Sequence, residues 1–570
     1  MKLSNKTARI ILAVIIIISL SISTFYMTVK DGFHEDELLT YNLANSSKQL
    51  NTEGWNKASD FNEYLAAGEH RFDYANAYKN QVIDASHPPF YYFLVHTVSS
   101  FFPNVFNKYL AFIINVVMMG LSLILIYKIG KRVTDNNLYA LIALGGYALS
   151  IACITMTFYL RMYCTLIFFT EAFLYLTLKI YDRKKDIKVV DFVLLFFTVL
   201  LGVLTQYYFI LFAGLVGLVM LVFSIKERSI KSLLIYIGVS ILGFAAAFAF
   251  YPYIITNVLG GNRGLGSISI DIDTVTIVTY IGYKLLTYVQ ILVKELFIGQ
   301  TWLLIVMLIA AIVFGVYFRF FKKRKLNRKC CFLIVPAVVY FSLISLISPF
   351  NSDRYVAASL PLISMLFTFS VIKIAEFVFN DKAKIVVPAA VVLVSALGFI
   401  LVKPFYIYGT TNLNTPQTKD CLFVGTEVME WNKCIDKFMN YDETMIVKTS
   451  DMSKTLASEL DSFAVNRGVV TNGKIGGFID GYMQSGEKEE DKTDSLSVLK
   501  NDKKLKGLNE LTVYISRLAD NKTVLDYIRA NTALKNYELI QKDKNFEEFY
   551  NWYDYFVETE SYCNVYKFYK

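Results

Sequence analysis

Long apolar runs separated by short polar connections set the plan of this chain. Runs close to the ~20 residues needed to cross a bilayer fall at 10–29, 109–127, 138–158, 162–181, 189–206, 208–225, 232–255, 302–321, 332–349, 355–375 and 385–402, eleven spans in all. Two further apolar stretches read differently. Residues 90–102 are short and follow Pro88-Pro89, and 275–298 carries Lys284, Lys294 and Glu295. Each is expected to lie as an interfacial helix on the outer surface. Counting both as spans would give thirteen and leave the C-terminus on the same side. From Lys403 onward the pattern changes: strand-like Met445–Lys448 and Leu511–Ile515 and helix-like Ser453–Ala464 and Thr523–Ala530 predict a soluble α/β domain over 403–570, with 473–494 as a loop. No internal repeat marks the inverted halves of a transporter.

Charge orients this plan. Lys2, Lys6 and Arg9 precede the first run, which is long and lacks a small-residue cleavage site, so it reads as an uncleaved span with a cytoplasmic N-terminus. The connections then assigned to the cytoplasm are basic: Lys128/Lys131/Arg132, Arg183/Lys184/Lys185/Lys188, Lys226/Arg228/Lys231, the cluster from Arg319 to Lys329, and Lys382/Lys384. The short outer connections hold only Arg161 and Arg354. This asymmetry places a large first loop, 30–108, and the domain 403–570 outside a cell membrane that the chain crosses many times.

Composition agrees, with 55% apolar residues over 570 positions. The net charge of +9 sits in those connections, so it carries topology rather than a nucleic-acid footprint, and no nucleic acid is expected as a partner. Seven cysteines show no metal spacing; Cys421 and Cys434 are a candidate pair outside the cell, which nothing in the sequence forces.

Candidate chemistry gathers in the first outer loop. Asp31-Gly-Phe-His-Glu-Asp-Glu-Leu38 puts carboxylates at the membrane surface, and Ser86-His-Pro-Pro-Phe-Tyr-Tyr92 follows on the same loop. A solvated acidic loop is the plain alternative. Glu37 reads equally as a first-turn acid of the helix starting near Leu38. Glu171, near the centre of the fourth span, is a functional candidate because an ionisable group there is costly; a proton relay or a carboxyl bonded to a neighbouring hydroxyl both fit. His34 and Glu35 would complete a metal site with Asp36 only if adjacent residues faced one ion, so a divalent metal stays open. Gly260–Gly266 reads as a mobile outer loop or a hinge.

Several short motifs, in this order and on one membrane side, resemble the GT-C class of membrane glycosyltransferases, close to the family 39-like protein mannosyltransferase and aminoarabinose transferase relatives. Asp36-Glu37 matches the Asp-Glu of that family's first outer loop, and Ser86–Tyr92 is similar to its His-Pro-Pro-Leu-Tyr-Tyr form. Arg161-Met-Tyr163 resembles its Ala-Arg-Met-Tyr, Gln206-Tyr-Tyr208 its Thr-His-Tyr, and Asp353-Arg-Tyr355 gives a weaker echo. The likeness covers roughly residues 10–225. Phe158-Tyr159 stands where relatives often carry Gln-Glu, which puts a second acid or metal site in doubt.

The resemblance implies transfer of a sugar from a polyprenyl-phosphate carrier to an acceptor glycan, lipid or protein on the outer face of the plasma membrane. Such a reaction needs a base for the acceptor hydroxyl and cations for the phosphate. By family match Asp36, helped by Glu37, is the base; Arg161, Arg354 and His87 are the phosphate candidates; and Tyr91, Tyr92, Tyr207 and Tyr208 are candidates to stack on sugar or line a lipid groove. Bland alternatives stand beside these: a snorkelling Arg161, an Arg354–Asp353 loop pair, and an interfacial His87 held by Pro88-Pro89. A transporter or flippase of a lipid-linked component is the alternative function.

Overall fold

The structure, a computed structural model, describes residues 3–570 apart from 31, 52, 184–187, 260–273, 298–303, 306–308, 310–326, 349–351, 380–384, 387, 391–417, 426–430, 432–433, 450–495, 517–518 and 543–562. Seven helices among the described residues are long and apolar enough to cross a membrane: α1 (Asn5–Val29), α6 (Lys108–Thr134), α9 (Tyr163–Arg183), α11 (Tyr208–Lys226), α12 (Ile230–Phe250), α15 (Arg328–Ile347) and α17 (Leu360–Val378). Rows of exposed apolar side chains such as Ile10, Ile17 and Phe25 on α1 make the surface that lipid requires. The chain is a multi-pass membrane protein.

The run expected at 138–158 is a broken span, α7 (Asn137–Ala148) and α8 (Ile151–Phe158), bent by 57°. Ser150 makes the break tolerable: its hydroxyl accepts from Cys153 N at 3.3 Å and donates to Tyr147 O at 2.7 Å, meeting backbone groups that a bend would strand. The run at 189–206 is the shorter α10 (Val189–Val203). Most of the runs at 302–321 and 385–402, the Lys382/Lys384 connection and the Gly260–Gly266 segment lie outside the described residues. Inside α15, Pro336 opens one π-helical turn, Pro336–Tyr340, as expected where a ring removes an amide donor.

Between α1 and α6 the first loop folds into α2 (Glu35–Asn45), β1 (Gly54–Lys57), α3 (Ala58–Leu65), α4 (Tyr74–Asp84) and α5 (Phe90–Phe101). The short stretch at 90–102 is thus α5, with Tyr91, Tyr92, Val95 and His96 buried. The stretch at 275–298 is α14 (Thr274–Phe297), following the short α13 (Ile254–Leu259). Its charges turn inward: Lys284 and Glu295 are buried, and Lys284 donates to Ser348 O at 2.8 Å. Together with Tyr288, whose hydroxyl meets Ser348 Oγ at 2.6 Å, it braces the segment that leads to α16 (Asp353–Val356).

The C-terminal part forms a six-stranded sheet in the order β1-β3-β2-β4-β6-β5, with β2 (Asp420–Gly425), β3 (Glu443–Lys448), β4 (Glu510–Ser516), β5 (Asn536–Gln541) and β6 (Cys563–Tyr569). Strands β3, β2 and β4 run parallel, while β1, β5 and β6 pair antiparallel. Period-two alternation serves two cores. Leu422 and Val424 face a cluster with α19 (Asn521–Asn531), whereas Cys421 and Phe423 join the core shared with the first loop and the helices. On that side α18 (Ile435–Phe438) sets Phe438 against Phe61 of α3, ring centroids 5.4 Å apart, and Trp431 lies 5.6 Å from Tyr64. The expected strands at 445–448 and 511–515 and the helix at 523–530 fall within β3, β4 and α19. Ser453–Ala464 and the loop at 473–494 lie outside the described residues. A strand of the first loop is therefore part of the C-terminal sheet, and Trp55 fixes it by donating to Asp502 Oδ2 at 2.9 Å under the ammonium of Lys504, 4.1 Å above its ring.

Helices α10 and α12 meet at Gly243, where an added Cβ would lie 2.9 Å from the backbone oxygen of Phe196 and 3.0 Å from Val199 Cβ. Backbone on one side cannot swing away, so Gly243→Ala should push the two helices apart at a cost of about 1–3 kcal/mol. Thermal unfolding in detergent should show a lower midpoint, and an unchanged one would refute the close approach.

Candidate active site

Four segments converge outside the helix ends. The first is the N-terminus of α2. His34 caps it, its Nδ1 accepting from Asp36 N at 3.1 Å, while Glu37 Oε2 reaches back to His34 N at 2.8 Å, a capping box with histidine in the serine position. Glu37 is wholly enclosed by such bonds. Lys30 Nζ donates to both its oxygens at 2.5 and 2.6 Å, and Leu160 N donates to Oε1 at 2.8 Å. Because both partners of the Lys30–Glu37 pair are buried, Lys30→Met should cost about 3–5 kcal/mol by stranding the carboxylate. Lys30→Met with Glu37→Gln should recover much of that in a thermal melt; equal losses in the single and double variants would count against the pair.

Asp36, next along α2, points the other way, into a cluster of cations. Its Oδ2 accepts from Arg354 Nη1 and, at 3.2 Å, from the hydroxyl of Tyr159; its Oδ1 lies 3.7 Å from Arg161 Nη2. Arg354 Nη1 also donates to the Tyr159 hydroxyl at 2.6 Å. The group is enclosed: Asp36 is 4% exposed, Arg161 and Arg354 each 1%. The Asp353 carboxylate takes Arg354's own amide at 2.7 Å and the Ser352 hydroxyl at 3.1 Å, which fixes the turn from which the Arg354 guanidinium reaches Asp36.

Arg161 sits between the broken span and α9, and it too is tied inward rather than snorkelling. Nη1 donates to Asp36 O and Thr40 Oγ1, both at 3.0 Å, and Nη2 meets His87 Nε2 at 3.0 Å. A guanidinium has only donors, so His87 Nε2 accepts and its proton resides on Nδ1, which donates to Asp84 Oδ2 at 2.8 Å. Asp84 is itself aimed by the amides of Ser86 and His87, at 3.2 and 3.1 Å. The fourth segment thus contributes a chain Asp84–His87–Arg161–Asp36. Burial opposes the charge on Arg161 most strongly, but the Asp36 carboxylate together with the phenols of Tyr92, Tyr159 and Tyr163 outweighs it and holds the guanidinium more firmly protonated than usual. Its Nε is buried without a hydrogen-bond partner among the described residues, a donor held ready for an acceptor.

The tyrosines form a second tier. Tyr91 donates to Asn115 Oδ1 at 3.2 Å, and Asn115 Nδ2 donates to Tyr159 O at 2.6 Å, so α5 and α6 set the backbone that presents Tyr159 and Arg161. Burial pushes the Tyr91 phenol well above its ordinary range. The Tyr92 ring lies 6.1 Å from His87. Tyr208 packs edge-on to Tyr355 at 5.9 Å, and Arg354 lies 5.2 Å over Tyr355. Tyr207 meets Asn257 at 3.0 Å, and burial raises its pKa too.

The structure therefore brings Asp36, Arg161, Arg354 and His87 into one hydrogen-bonded cluster, with Glu37 back to back behind it. Sequence reasoning missed Tyr159 and Asp84. Tyr159 was noted only as a departure from a family pattern, yet it is the hydroxyl between Asp36 and Arg354; Asp84, three residues before His87, had the spacing of an Asx turn. Among the described residues no group of three His, Cys, Asp or Glu could hold a metal ion, and the ring nitrogen of His34 nearest Asp36 is occupied in capping.

Fold and site together define a polytopic membrane protein with a buried carboxylate–guanidinium cluster at the helix ends. Residues 86–253 match the family model of dolichyl-phosphate-mannose-protein mannosyltransferases, which bears out the resemblance read from the loops; this segment is of the GT-C glycosyltransferase kind. No curated protein matches the chain. Among solved structures, ArnT from Cupriavidus metallidurans bound to undecaprenyl phosphate aligns at 10% identity over 97% of each chain with a TM-score of 0.46. The oligosaccharyltransferase AglB from Archaeoglobus fulgidus, in complex with an inhibitory peptide and a dolichol-phosphate, aligns at 12% identity over 75% of this chain and 64% of that one, with a TM-score of 0.37.

Proposed function

We propose that the chain moves a sugar from a polyprenyl-phosphate carrier to a hydroxyl acceptor by a single inverting displacement at the outer face of the plasma membrane. The observation that carries this reading is Asp36, one buried carboxylate held between two guanidinium groups and a phenol. A polyprenyl phosphate leaves as a stable anion, so no strong acid is required. What is required is a carboxylate to take the acceptor proton and planar cations that bind two phosphate oxygens at once. Asp36 serves as the base, and Arg161 and Arg354 turn part of their donor set from Asp36 to the arriving phosphate. Neutral His87 aims Arg161, and Glu37 holds the helix that presents Asp36. Carrier type is supported by the match to enzymes of dolichyl-phosphate-mannose, and the outer location by the alternation of basic connections.

The test is incubation of the purified protein with polyprenyl-phosphate sugars of several kinds. Released polyprenyl phosphate supports the reading; carriers that bind and are never cleaved, with any acceptor offered, would overturn it. The transporter alternative rests on Glu171, whose two oxygens are buried without a hydrogen-bond partner among the described residues. Loss of a substrate flux in Glu171→Gln, with flux intact in Asp36→Asn, would favour it.

A further inference from the structure

We propose that Cys434 and Cys563 form a disulfide that fastens the last strand of the sheet to the segment leading into α18. Their sulfurs lie 3.7 Å apart, and both residues are buried. Cys563 opens β6, opposite Ser516 of β4, so its backbone is fixed by the sheet. Cys434 immediately precedes α18, whose Phe438 packs on Tyr514 of β4, centroids 5.9 Å apart, as well as on Phe61. Two thiols pressed together in an apolar core gain little as thiols, since S–H is a weak donor. The placement is that of a bond closed as the domain folds.

The third thiol in this core takes no part. Cys421 lies mid-sheet on β2, opposite Thr444 and Thr512, and among the described residues the close sulfur–sulfur approach in this core is that of Cys434 and Cys563. Nor do the thiols make a metal site among the described residues. The candidate pair of the sequence, Cys421 with Cys434, which nothing there forced, is the alternative against which Cys434 with Cys563 is tested.

With a small disulfide such as oxidised glutathione as oxidant, the thiolate of one cysteine attacks it, a glutathione thiol departs, and a mixed disulfide remains. The second thiolate then attacks the protein sulfur of that mixed disulfide and a second glutathione thiol leaves. Two protons and two electrons pass from the cysteines to glutathione, and one S–S bond is exchanged for another. The bond would join residues 129 positions apart, and a loop that long loses much unfolded-state freedom when closed.

The inference stands apart from the transferase reading and is tested on the full-length protein in detergent. The protein is refolded or expressed in a glutathione redox buffer, its free thiols are alkylated in denaturant, and the digest is analysed by mass spectrometry. Five of the seven cysteines should be alkylated, and a linked peptide should carry residues 434 and 563. Alkylation of all seven, or a Cys421–Cys434 linkage, would overturn the proposal. Reductant should lower the unfolding midpoint by roughly 5–15 °C. That shift should persist in Cys421→Ser and vanish in Cys434→Ser and Cys563→Ser; a shift retained in the last two would also refute it. The alkylation count on the unaltered chain decides the matter even if a variant folds poorly.

Discussion

Asp36→Asn should lower turnover by ~10²–10⁴-fold while carrier affinity holds or rises. The amide keeps the shape of the side chain and removes the only feature a base needs. Affinity should not fall with it, because Asp36 and a carrier phosphate compete for the same cations: its carboxylate engages Arg354 and lies 3.7 Å from Arg161 in this structure. Neutralising it leaves both guanidinium groups with more to offer a phosphate. Rates and carrier binding measured on the same folded preparation separate the two quantities. Near-normal turnover, or a fall in affinity as large as the fall in rate, would remove Asp36 from the role of base.

Truncating either arginine should give the opposite signature, with affinity and turnover falling together. Removing one partner of a buried, hydrogen-bonded charge costs about 2–5 kcal/mol, which corresponds to a loss of roughly 30-fold or more in carrier binding. The two sites should differ in one respect. Arg161 also donates to the backbone oxygen of Asp36 and to Thr40, so Arg161→Ala should loosen the start of α2 and lower the unfolding midpoint, beyond what Arg354→Ala does. Arg161→Lys should restore little, since one ammonium cannot reach Thr40, His87 and a phosphate from the position of a planar fork. Carrier binding retained in Arg354→Ala together with Arg161→Ala would refute the phosphate assignment.

How much of this was legible in the sequence depended on the range of the interaction. The spans were readable because a bilayer demands apolar length, and the strands at 445–448 and 511–515 because alternation is local. The convergence of Asp36 with Arg354 was not, because it joins residues 318 positions apart; the family resemblance supplied the residues without their pairing. Glu37 shows the limit from the other side. Beside Asp36 it reads equally as a second catalytic carboxylate and as a first-turn acid, and the cap bond to His34 with the bonds from Lys30 and Leu160 favours the second. Tyr159 was hidden for a related reason: a phenol among thirty-nine tyrosines carries no pattern of its own, and its partners Asp36 and Arg354 are distant in sequence. The charges on α14 suggested a surface helix, since the partner of Lys284, Ser348, is distant in sequence.

The strand β1 has a consequence for how the molecule is made. Lys57 pairs with Glu443, so a ribosome moving at roughly 5–20 residues per second delivers the second strand about 20–80 s after the first. Throughout that interval, while most of the spans are being inserted, the edge of β1 has no partner and Trp55 no Asp502. The sheet is thus completed across the finished bundle rather than added to its end. A chain halted before β3 would display an unpaired strand and an exposed indole, a feature by which quality control can tell it from the complete protein.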